Sequence, residues 1–207
     1  VVAVSSGFWA IVLSAQILAP VGGRVVMPSL TYRRLADAMR WAGLEPLYVD
    51  VDSSTLTPSF DNVRDACQQP GVSLICLTHP IVGVLDIQPF KNLARSFSLP
   101  LLVDSVESQD SDYPDGTRVG PQADAEVFSL HASKLINGAE GGYICTNNDE
   151  LAEQLSRLRG FGLFGDSSAI PGGTNAKLNE VHASLALASL DGLPSQRQFY
   201  RAVLDLY

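Results

Sequence analysis

Short runs of apolar residues, most too continuous for a strand with one wet face, constrain this chain more than any other feature. They are "RVVMPS", "PLYVDV", "SLICLTH", "LPLLVDS", "AEVFSLH" and "GYICT". Such runs read as strands buried on both faces. Amphipathic segments lie between several of them: "TYRRLADAMRWAG", "SFDNVRDACQQ" and "QPFKNLARSFS". Thr31 and Ser59 are expected N-caps, and Gly43 an expected helix stop. Strands that alternate with helices imply crossovers, hence an α/β fold with a largely parallel sheet covered on both faces. After Asn147 the pattern turns helical. A Gly/Ser/Pro loop is expected from Gly165 to Thr174, then a last helical run from Leu178 to Leu190. Residues 1–207 read as one domain. The chain starts inside a strand pattern, "VVAVSSG", and stops inside a helical one, "FYRAVLDLY", so truncation at both ends is expected.

Apolar residues make up 46% of the chain and charged ones 17%, which supports a sizeable core and argues against disorder. The net charge of −8, with no basic block, disfavours a nucleic acid or an anionic membrane as partner. The longest apolar stretch, "FWAIVLSAQILAPV", is too short to span a bilayer and lacks a basic leader. Cys67, Cys76 and Cys145 are far apart and form no CxxC, so a reduced, cytoplasmic protein is expected. His79, His131 and His182 lack metal-ligand spacing, and no metal site is expected.

Ligands of open α/β sheets collect beyond the carboxyl ends of the strands. The residues there are Ser5 to Gly7, Ser29 to Tyr32, His79, Asp104 to Glu107, and Ser129 to Lys134. Asp104 either caps the next turn or meets a cation, and the pyridinium of pyridoxal phosphate is a cation that requires an acidic partner. Lys134 is either solvated charge or an amine that bonds covalently to a cofactor aldehyde. Ser129 is a turn residue or a phosphate ligand. Ser6 and Gly7 open a helix whose free amides cap it or hold an anion. Tyr32 packs on the core or stacks on a planar ring.

In this order the residues resemble the DegT/DnrJ/StrS family of pyridoxal-phosphate sugar aminotransferases, over nearly the whole chain. The family's Ser-Gly-Thr-x-Ala is similar to Ser6-Gly7-Phe8-Trp9-Ala10. "PSLTY", ending at Tyr32, resembles its Pro-Ser-x-Thr-aromatic stretch, and "VDVD", Val49 to Asp52, its Val-Asp strand end. "THPIVG" is similar to its His-x-x-Gly segment, and Asp104 to Glu107 to its Asp-x-x-Gln. The most specific match is Phe128, Ser129, His131 and Lys134, followed by Gly138, Glu140, Gly141 and Gly142.

The resemblance implies a fold-type-I large domain, three-layered with a mostly parallel mixed sheet, and pyridoxal 5'-phosphate held covalently on Lys134. It implies that Asp104 meets the ring nitrogen, Tyr32 stacks on the ring, and Ser6, Gly7 and Ser129 hold the phosphate. His131 lies close by, and Asn175 reaches the phosphate of a neighbouring subunit in a homodimer with shared sites. The implied reaction moves an amino group, usually from glutamate, to a keto-sugar nucleotide. The family's small C-terminal domain is expected to be absent here. Two residues depart from the pattern. Phe8 replaces a hydroxyl that helps hold the phosphate, a loss of about 1 kcal/mol. Glu107 replaces an amide, and its carboxylate would repel the cofactor's phenolate unless protonated or turned away. Both departures suit a weakened or non-enzymatic relic. A third reading takes Asp50 and Asp52 as the Asp-x-Asp of a metal-dependent glycosyltransferase.

Overall fold

The apolar runs become the strands of one sheet. The computed structural model describes residues 1–81, 83–164 and 166–206. In chain order the elements are β1 (Val2–Val4), α1 (Gly7–Leu18), β2 (Arg24–Pro28), α2 (Leu35–Trp41), β3 (Glu45–Val49), α3 (Phe60–Cys67), β4 (Val72–Thr78), α4 (Gln88–Phe97) and β5 (Leu101–Asp104). A short 3-10 turn, Val106–Ser108, precedes β6 (Ala125–Ser129), β7 (Gly142–Cys145), α5 (Asp149–Leu158), β8 (Leu163–Phe164), β9 (Asp166–Ala169), α6 (Glu180–Asp191) and α7 (Leu193–Leu204). The main sheet runs β1-β7-β6-β5-β4-β2-β3, and only β7 lies antiparallel to its neighbours.

The pleat sorts each strand between two cores. Val25 and Met27, Leu74 and Cys76, Leu102, and Val127 pack beneath α1, α2 and α5. Val26, Ile75 and Leu77, Leu101 and Val103, and Phe128 pack beneath α3 and α4. Both faces are therefore covered, which is why the strands read as continuous apolar runs, and the result is three layers. The carboxyl ends of β1, β2, β4, β5 and β6 share one edge of the sheet.

Local expectations divide. Ser59 caps α3 through the Asn62 amide at 3.5 Å, and Gly43 closes α2 at φ +83°. Thr31 does not cap α2. That helix starts three residues later, behind Arg34 and with no side-chain cap, while Thr31 Oγ1 is buried without a partner. The expected loop after α5 instead carries β9, which pairs with β8; Gly165 lies outside the described residues. Among the described residues no helix is long and apolar enough to cross a membrane.

Candidate active site

Helix α1 begins directly against the end of β6. Ser6 is its N-cap, accepting from the Trp9 amide at 3.2 Å. The amides of Gly7 and Phe8 have no carbonyl within the helix to bond. A Cβ on Gly7 would stand 2.9 Å from Ser129 Cβ, and one on Gly142 would stand 2.6 Å from the Ser6 carbonyl carbon. Ser6, Gly7 and Ser129 are thus brought together, and glycine is what lets the backbones approach. Ser129 Oγ also accepts from the His131 amide at 3.2 Å, so its turn role is real as well. His131 is exposed, and its Nδ1 accepts from the Ser133 amide at 3.2 Å.

Asp104 ends β5 and is buried. Its Oδ1 accepts from the Val106 amide at 3.2 Å, the turn cap that sequence also allowed. Desolvation pushes its carboxyl up to about 6; Glu107 adds to the rise, and the Val106 amide and Lys134 oppose it. Lys134 is no solvated lysine. Its side chain is 19% exposed, and its Nζ is ion-paired with Glu107 Oε1. The carboxylate expected to face the cofactor oxygen therefore faces the lysine.

Neighbouring residues complete the corner. His79, after β4, accepts from the Leu85 amide on Nδ1 at 3.1 Å and lies 3.4 Å from the Tyr113 hydroxyl through Nε2. Burial lowers its pKa to about 4, so it is neutral there. Glu126 is wholly buried on β6 and holds Ser105, next to Asp104, through its hydroxyl at 2.9 Å.

Sequence reasoning missed Gln109. This buried amide donates to the Ser129 carbonyl at 2.7 Å and accepts from the Ile136 amide at 3.0 Å. It staples both ends of the loop that carries Lys134. The available signal was weak: an amide, able to donate and accept, five residues beyond Asp104 in the same connection.

Phe8 and Tyr32 lie in a different setting. Phe8 packs edge-on against Trp9 and Trp41, with ring centroids 6.1 and 6.3 Å away. Tyr32 is 57% exposed. With Phe8, Arg34, Asp37, Arg40 and Trp41 it lines an open concavity of about 520 Å³. Asn175 is exposed, in a segment bridged to Gly160, and its neighbour Ala176 accepts from the Ser5 amide at 2.8 Å. Asp52 lies beyond edge strand β3, where its carboxylate binds the amides of Ser54 and Thr55 at 2.8 and 3.0 Å. That is a turn, and no group of three metal-binding side chains occurs among the described residues.

The donor set fits pyridoxal phosphate. Small residues and free amides at the α1 start suit a phosphate, buried Asp104 suits a ring cation, and Lys134, paired with Glu107, supplies an amine.

Comparisons with known proteins agree with the fold and the family. The model of the DegT/DnrJ/EryC1/StrS aminotransferase family matches residues 1–207. The chain is 32% identical to Protein Rv3402c of Mycobacterium tuberculosis (strain ATCC 25618 / H37Rv) over 186 residues, which is 88% of this chain and 45% of that protein. It thus spans about half the length of the curated relatives it matches. Among solved structures, the aminotransferase TlmJ from Streptoalloteichus hindustanus superimposes with TM-score 0.85 at 29% identity, covering 94% of this chain and 53% of that one. DesI, solved in the presence of its TDP-sugar product, gives TM-score 0.85 at 32% identity, over 94% and 49% of the two chains. The chain belongs to the DegT/DnrJ/EryC1/StrS aminotransferase family.

Proposed function

We propose that the protein is a pyridoxal-phosphate-dependent aminotransferase that moves an amino group from an amino acid, glutamate by family resemblance, to a keto-sugar nucleotide. The observation that carries this reading is the ion pair of Lys134 with Glu107, which sits three residues past buried Asp104 at the end of β5. The TDP-sugar product of DesI supports the substrate class.

When bound, pyridoxal phosphate supplies an aldehyde that captures amines and a ring that accepts electrons. The chain's residues do the rest. Ser6, Gly7 and Ser129 hold the phosphate, with the Gly7 and Phe8 amides as donors. Asp104, as carboxylate, keeps a proton on the ring nitrogen. Lys134 would hold the group covalently, and its free Nζ would move a proton as general base and then acid. Gln109 keeps the Lys134 loop in register, and Tyr32, exposed beside Phe8, would stack on the ring as the family resemblance implies.

The reading includes a homodimer in which Asn175 reaches the partner's phosphate. Exposed Val181, Leu185, Leu187 and Leu190 on α6 support a covered face there. Cytoplasmic residence suits the free cysteines, of which Cys67 and Cys76 are buried.

The test is transfer itself. Protein loaded with pyridoxal phosphate is given nitrogen-15 glutamate and a panel of keto-sugar nucleotides. Label in an amino-sugar product, lost with Lys134→Ala, is expected. Undiminished transfer by that variant would overturn the assignment.

A further inference from the structure

Glu107 is the residue at which the chain parts from the family's amide, and its partner is Lys134. Building on the reading that Lys134 carries the cofactor, we propose that the Glu107 carboxylate biases the site toward the aminated, non-covalent form of the cofactor by pairing with the free Lys134 ammonium.

The argument follows the nitrogen. In the ion pair, Lys134 Nζ presents three N–H donors and a full charge. On attachment, a bond forms between Nζ and the aldehyde carbon. The carbonyl oxygen leaves as water with two of the three protons. One N–H remains, and the nitrogen is tied to the ring. Glu107 therefore loses most of a charge-assisted contact whenever Lys134 is bonded to the cofactor, and regains it whenever Lys134 is free. An amide at 107 would lose much less.

The surroundings strengthen the bias. Glu107 raises the pKa of buried Asp104, and Lys134 opposes that rise. His79 is buried and neutral, and adds no charge. His131 has Nδ1 occupied by Ser133 and sits exposed. The aminated cofactor brings its own ammonium to the site. Beside an unpaired Lys134 the two cations would repel; Glu107 neutralises one of them. At 44% exposure, Glu107 can make this contact without itself being fully desolvated.

The measurement is the ratio of dissociation constants for pyridoxamine phosphate and pyridoxal phosphate, by equilibrium dialysis, with no turnover required. Glu107→Gln is isosteric at a partly exposed position. It should raise that ratio, disfavouring the amine form, by about tenfold. In the Lys134→Ala background the same substitution should leave the ratio unchanged, because the ammonium is gone. An unchanged ratio in the single variant, or an equal change without Lys134, would overturn the inference while leaving the cofactor site standing. Failure of wild-type protein to bind either compound would overturn both.

Discussion

Gly7 and Ser129 are packed so closely that a methyl group on Gly7 would stand 2.9 Å from Ser129 Cβ. This contact joins the first turn of α1 to the end of β6, two segments 122 positions apart, at the place proposed to hold the cofactor phosphate. Gly7→Ala should push them apart. A destabilisation of about 1–3 kcal/mol is expected from overpacking. Urea unfolding reads that cost, and weakened binding of pyridoxal phosphate reads the opened cradle.

Asp104 is held at about 6 by burial, against an ordinary 3.8. A raised folded-state pKa contributes stability below about 3.8 that is lost as pH rises through about 6. At pH 7 Asp104 is therefore a carboxylate carried at a buried position. Asp104→Asn should therefore make the cofactor-free chain more stable at pH 7, by up to about 3 kcal/mol, and give no such gain at pH 4. Unfolding curves at the two pH values check this.

His79 has the opposite sign. Burial lowers it from 6.5 to about 4, so its contribution is full above about 6.5 and lost as pH falls through about 4. In wild type the Asp104 effect opposes it. With Asp104→Asn in place, stability should fall by up to about 3 kcal/mol from pH 6.5 to 4. The His79 ring resonances should shift only near the bottom of that range.

Gln109→Ala would leave the Ser129 carbonyl and the Ile136 amide without their partner. Each part-buried group left unpaired costs up to about 1–3 kcal/mol. Hydrogen exchange should show the Ile136 amide losing protection, and pyridoxal phosphate should dissociate faster as the Lys134 loop loosens.

The parts legible in sequence were those written in contiguous residues. Buried strands show as unbroken apolar runs because both faces are covered; Asp104 ends one such run, and Lys134 comes five residues after another. The Ser6 cap and the Gly43 stop are local chemistry. What escaped depends on which distant segments meet. The Glu107 to Lys134 pair spans 27 positions, and the Gln109 bridge reaches residues 20 and 27 away. Neither distance has a periodic signature. Thr31 shows the limit of a cap signal: hydroxyl, spacing and helix were all present, but the chain made three more residues of turn before α2. Phe8 reads as a lost hydroxyl in one dimension and as a member of a Trp9 and Trp41 cluster in three.

The central claim is that Lys134 carries the cofactor beside Asp104. Its most direct test is to add pyridoxal phosphate, follow the visible absorbance, reduce with borohydride, and map the modified peptide by mass spectrometry. The account predicts a visible band and a single stable adduct on Lys134. Folded protein with no band and no adduct, or an adduct confined to the exposed Lys177, would contradict it.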